Sequence, residues 1–121
     1  MMKIWINMIQ IKHGVLYLAD LGQKQGTESG KVRPVLVLQS DFLNATGHSS
    51  TWILPCTTKL RGSNILRCVL PKNIAGNKEE CEVMIDQSRA IDNQAFTKEL
   101  KPLPKILLKE IKDKLSKLAD L

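Results

Sequence analysis

Up to residue 91, apolar side chains come in short blocks divided by polar, glycine-bearing stretches; later in the chain the rhythm turns helical. Val15, Leu16, Tyr17, Leu18 and Ala19 form one block with polar flanks, which predicts a short strand. Residues 20–31 hold three glycines and several polar side chains, so they predict a long loop rather than a tight hairpin turn. Residues 32–39 predict the next strand. Its unbroken apolar run, Val35 to Leu38, suits a strand covered on both faces. Pro34 lacks an N–H and fits the start of that strand, and it drives Arg33 toward extended backbone. The guanidinium of Arg33 is therefore expected to leave from a rigid base.

Ser40 or Asp41 is placed to cap one helical turn ending at Asn44. A loop over 45–50 leads to a strand at 51–54, ended by Pro55, Cys56, Thr57 and Thr58. After a polar loop at 59–64 comes a weaker strand near 66–70. A surface excursion follows at 71–80, with Asn73, Gly76 and Asn77 as turn formers. Residues 82–85 and 89–91 read as strand pieces on either side of Asp86 and Gln87. The chain finishes in a helix over about 104–118, where Leu107, Ile111, Leu115 and Leu118 recur at 4-4-3 spacing with lysines opposite. Pro104 is tolerated in a first helical turn. Short strands closed by polar loops, plus one terminal helix, predict a mainly β member of the α+β class built as a small β-barrel.

At 121 residues the chain is long enough for one core and too short for two, so 1–121 is read as a single domain. The net charge of +6 favours an acidic partner such as nucleic acid. That charge is unevenly placed, because residues 98–117 hold seven lysines against Glu99, Glu110 and Asp113. Much of it therefore reads as a solvated helix face. Three cysteines with no C-x-x-C spacing argue against a disulfide scaffold or zinc site and for a reducing compartment. His13 and His48 are isolated and suggest neither a metal motif nor a nucleophile–base pair. Residues 1–11 are apolar but interrupted by Asn7 and Gln10, so neither a signal peptide nor a membrane span is expected. They read as an N-terminal extension, with Met8 an alternative start, and the expected location is the cytoplasm.

Candidate chemistry lies in the two polar loops. The first carries Lys24, Glu28, Lys31 and Arg33, and the second Lys59 and Arg61 with Arg67 beyond. If they neighbour each other, they make a cationic patch independent of the lysine-rich tail. Aromatic residues are scarce at 4%, which disfavours RNA binding through stacking platforms.

Three motifs together resemble one family. They are Gly14-x-x-Tyr17-Leu18-Ala19-Asp20-Leu21 with Gly26 to Gly30 and Arg33-Pro34-Val35-Leu36-Val37; Pro55-Cys56-Thr57-Thr58; and Asp86-Gln87-x-Arg89-x-Ile91-Asp92. In order and spacing they are similar to the signatures of MazF/PemK-type toxins, the sequence-selective endoribonucleases of type II toxin–antitoxin pairs. The resemblance implies an SH3-like barrel with a C-terminal amphipathic helix, working as a homodimer without cofactor or metal. It implies cleavage of single-stranded mRNA to a 2′,3′-cyclic phosphate and a 5′-hydroxyl, and silencing by a cognate antitoxin. By motif position Arg33, Thr57 and Asp86 take the catalytic roles. Glu28, Lys31, Thr58, Lys59, Arg61, Gln87 and Arg89 become the candidate RNA contacts. The chain departs from the usual pattern at Val15, Gln23, Thr27, Ser29 and Lys31, the last standing where a small residue is common. Two rival readings share this fold: a gyrase-poison-like toxin that needs no nuclease residues, and a noncatalytic RNA-binding module.

Overall fold

The computed structural model describes residues 9–22 and 31–121. Seven strands follow in order: β1 (Val15–Asp20), β2 (Val32–Val37), β3 (Ser50–Thr57), β4 (Arg67–Leu70), β5 (Cys81–Met84), β6 (Arg89–Asp92) and β7 (Phe96–Pro102). The one-turn helix α1 (Asp41–Asn44) separates β2 from β3, and α2 (Lys105–Ala119) follows β7. All described pairings are antiparallel, in the order β4-β5-β3-β2-β1-β7, with β6 also on β3. The sheet is barrel-like but not closed: the path ends at β4 on one side and β7 on the other.

β3 has the most strand partners, pairing with β2, β5 and β6. Ser50 to Ile53 pair with β6, while Cys56 and Thr57 pair with β5. The strand therefore runs through Pro55 to Thr57 instead of stopping at Leu54. Pro55 is tolerated because Leu54 and Pro55 fall between the β6 and β5 pairings on that edge, where the ladder is already interrupted.

Alternation along the strands buries both faces of the sheet. Leu16, Leu36, Leu54, Cys56, Val83 and Ile85 gather on one face with Ile111 of α2. Val15, Tyr17, Val35, Val37, Ile53, Ile91 and Phe96 gather on the other. This two-sided burial is the cause of the unbroken apolar run in β2. Tyr17 and Phe96 meet edge-to-face at 5.2 Å. The Tyr17 hydroxyl donates to the Gln10 carbonyl at 2.7 Å and accepts from the Lys12 N–H at 2.8 Å.

α2 packs over Gly14, whose φ is +79° and where an added Cβ would come 2.9 Å from Leu108 Cδ2. Glycine is needed there for both conformation and space. Ile111 is buried, with Leu107, Leu108 and Leu115 packed around the same cluster. Leu118, expected on this face, is instead 43% exposed because it lies past the end of that packing. Lys114 spans from Glu110 at 2.9 Å to the Arg67 carbonyl at 2.9 Å, tying the helix to β4. Ser40 caps α1, as the pattern predicted.

β7 is the element the pattern did not reveal. Four of its seven residues, Thr97, Lys98, Glu99 and Lys101, are polar. Its only strand partner is β1, through two register shifts; its other edge meets the 75–76 segment, where the Lys101 N–H donates to the Ala75 carbonyl at 3.0 Å, and otherwise tolerates charge.

Candidate active site

Arg33 lies at the start of β2 and Thr57 at the end of β3. The β2–β3 register ends at Val35 opposite Pro55, with Arg33 and Thr57 each two residues beyond that last pair. Thr57 is itself the direct partner of Glu82 on β5. Thr57 and Glu82 are therefore cross-strand neighbours, while Arg33 stands near the same end of β3, sharing a cleft with Cys56 and Thr58.

Arg33 is half-buried, and its guanidinium has no ion pair or hydrogen bond with another described residue. Thr57 is 7% exposed, and its Oγ1 accepts the Lys59 N–H at 3.1 Å, which leaves its own proton to donate elsewhere. Thr58 is exposed. Together with Lys31, Val32, Arg33, Pro34 and Cys56 it lines a cleft of about 260 Å³. Lys31 takes a left-handed φ of 97°. Its N–H donates to the Gly22 carbonyl at 3.3 Å, and its carbonyl accepts from Leu21 at 3.2 Å. These two bonds close the neck of the first loop. Glu28 and Lys24, on that loop, lie outside the described residues.

Asp86 and Gln87 are exposed on the 3-10 turn Ile85–Gln87 that joins β5 to β6. Gln87 Nε2 donates to Asp86 Oδ2 at 3.5 Å, and Arg89 opens β6 opposite Ile53. The fold thus brings Arg33 into one cleft with Lys31 and Thr58, while Thr57, next to Thr58 at the strand end, holds Lys59. Asp86, Gln87 and Arg89 make a separate exposed group across β3, with no described contact to Arg33 or Thr57. Among the described residues no group of His, Cys, Asp or Glu side chains is arranged to hold a metal ion. Cys56, Cys68 and Cys81 are free and buried.

Residues 12–119 match the family model described as PemK-like, MazF-like toxin of type II toxin–antitoxin system. The chain belongs to this family. Endoribonuclease EndoA of Bacillus subtilis (strain 168) is 31% identical over 111 residues, covering 87% of this chain and 90% of the relative. The fold matches MazF from Deinococcus radiodurans with a TM-score of 0.76 at 24% identity, covering 93% of this chain and 99% of that one. A MazE–MazF complex from Deinococcus radiodurans matches with a TM-score of 0.75 at 23% identity, covering 93% and 98%.

In this PemK/MazF-like chain the cross-strand partner of Thr57 was not singled out from the sequence. Glu82 is fully buried. Its Oε2 accepts the N–H groups of Arg61 at 2.9 Å and Gly62 at 2.7 Å, while Arg67 Nη1 reaches Oε1 at 3.0 Å. Burial pushes this carboxyl upward, but the two amides and the guanidinium outweigh it and hold the group below the usual carboxylate range. The available signal was an acid inside a strand whose neighbours Cys81 and Val83 are apolar, with Arg67 on the preceding strand.

Proposed function

We propose that this toxin-family chain is a sequence-selective endoribonuclease that cuts single-stranded mRNA in the cytoplasm and is held in check by a cognate antitoxin. The observation that carries the reading is the guanidinium of Arg33, unpaired among the described residues and lining a cleft with Thr58 at the strand end that bears Thr57, in a chain that matches an endoribonuclease over most of its length.

RNA supplies its own nucleophile. The 2′-oxygen attacks the adjacent phosphorus as the bond to the 5′-oxygen breaks, which leaves a 2′,3′-cyclic phosphate and a 5′-hydroxyl. The protein must take the 2′-hydroxyl proton, stabilise a doubly negative phosphorane and return a proton to the leaving oxygen. Arg33 is suited to the phosphorane: it is permanently charged, presents planar donors and has no partner among the described residues. Thr57 donates its hydroxyl proton to the same oxygens, since its lone pair already serves Lys59. Arginine is a poor base, so motif position assigns that role to the exposed carboxylate of Asp86, which stands across β3 from Arg33 and Thr57 within one protomer. The chemistry so written needs neither metal nor cofactor.

Lys31, Lys59, Arg61 and Arg89 have no carboxylate partner among the described residues, in contrast to Lys12, Arg67, Lys109 and Lys114. They supply the attraction for phosphates, with Thr58, Gln87 and Glu28 reading the splayed bases. A second copy of the chain completes the groove as a homodimer, and the antitoxin tail that covers it is acidic.

The test is incubation of the purified protein with a long unstructured RNA in EDTA, followed by sequencing of the cut ends. Discrete cuts with cyclic-phosphate ends support the nuclease. Binding without cuts, or gyrase-dependent DNA breaks in place of RNA cleavage, would sink it.

A further inference from the structure

The loop between β3 and β4 carries Lys59 and Arg61, and its backbone is held at three amides by two side chains that are cross-strand partners. Thr57 Oγ1 takes the Lys59 N–H, and Glu82 Oε2 takes those of Arg61 and Gly62. The remaining Glu82 oxygen is occupied by Arg67, whose side chain is itself mostly buried. Nothing in the proposed chemistry requires a carboxylate here. A buried charge is costly unless its oxygens are hydrogen-bonded, and two of the three bonds to this one come from the loop. Arg61 itself stays exposed, with its side chain free of any described carboxylate partner. The carboxylate grips the backbone of Arg61 and leaves its guanidinium outward.

We propose that Glu82 is a positioning residue, a buried anionic anchor that fixes the Arg61–Gly62 backbone and so presents Lys59 and Arg61 to RNA phosphates beside Thr57. This rests on the endoribonuclease reading above. The anchor acts through the loop and touches no reacting atom, so it governs how tightly RNA is engaged more than how fast a bound phosphate reacts. Arg67 has a matching role: it neutralises the anchor from the side away from the loop amides, which lets the carboxylate stay ionised and accept both N–H groups.

The experiment compares wild type with Glu82→Gln on a labelled unstructured RNA containing one mapped cut site, across a salt series. Glutamine keeps the shape but loses the charge. The expected result is a KM raised about tenfold with kcat within about twofold, as befits a displaced binding loop. The slope of log KM against log salt should fall by about 0.7 for each phosphate that the loop no longer neutralises. Arg61→Ala should add little to Glu82→Gln, since the anchor works through that residue. A folded Glu82→Gln protein with wild-type KM and salt slope overturns the proposal, because a purely structural role would lower thermal stability without moving either. Should the variant not fold, amide hydrogen exchange on the wild type decides. Arg61 and Gly62 must exchange at least about tenfold more slowly than Ser63, and equal rates overturn the anchor. If the wild type does not cut RNA, the nuclease reading fails separately. Exchange then still tests the clamp, and the salt slope of RNA binding tests its purpose.

Discussion

Thr57 on β3 and Glu82 on β5 stand directly opposite each other, and between them they hold the backbone of the loop that carries Lys59 and Arg61. One is a neutral hydroxyl at the strand end and the other a buried anion, so the same loop depends on two different kinds of hydrogen bond.

Thr57→Val removes both the acceptor for Lys59 and the hydroxyl donor. Stability should fall by about 1 kcal/mol, and cleavage by about 10²-fold or more. Thr57→Ser keeps the oxygen and should retain most of both. Thermal unfolding and single-turnover cleavage of the two variants separate the loop-holding role from the chemical one.

The pH dependence of stability follows from Glu82. Its folded-state value lies below the ordinary 4.5, so the unfolded chain takes up the proton first as pH falls. The stabilisation is complete above about pH 4.5 and is lost as the pH drops through the lower folded value. Asp41, lowered by the His13 N–H and the Asn44 amide, and Glu110, lowered by Lys114, act in the same direction. Denaturant melts from pH 3 to 7 should show a plateau above about pH 5 and a fall below it. Glu82→Gln should sit about 1.5–3 kcal/mol lower on the plateau, with a shallower acid branch.

Arg33 contributes nothing to described internal bonding, so its removal should leave folding intact. Arg33→Ala should lower cleavage by about 10²–10³-fold with an unchanged unfolding midpoint. Arg33→Lys keeps the charge but loses the planar fork and should fall between the two. An alanine variant that cuts at the wild-type rate would remove Arg33 from the mechanism.

Asp86→Asn tests the proton acceptor. A general base is worth about 10²–10⁴-fold, so single-turnover cleavage should fall by that factor. Wild-type cleavage by this variant across the pH range would place the base elsewhere.

Lys31 occupies a backbone conformation that favours glycine, with φ of 97°. Lys31→Gly should relieve that strain and stabilise the protein by up to about 1 kcal/mol in urea unfolding. The same change removes a cation from the cleft lined by Lys31 and Arg33, so RNA affinity should fall. The opposite signs of the two readouts identify a residue kept for binding at the expense of stability.

Local chemistry was enough to read off the sheet-rich architecture, the capped turn at Ser40, the terminal helix and the three motif segments. Apolar runs, a proline at a strand start, a cap and a 4-4-3 apolar stripe are all properties of neighbouring residues. The motifs also assigned Arg33, Thr57 and Asp86 their roles through a family resemblance, and the family itself is shown by the match over residues 12–119. Features that depend on pairing between distant segments emerged only in three dimensions. β7 exists because β1 offers it an edge, although its own residues are mostly polar. β3 continues through Pro55 because its partners change at that point. The Thr57–Glu82 pairing comes from register, which no single segment specifies. Glu82 looked like an ordinary strand residue until Arg67 and the Arg61–Gly62 amides folded around it, because a buried charge is made tolerable only by partners that arrive from elsewhere in the chain.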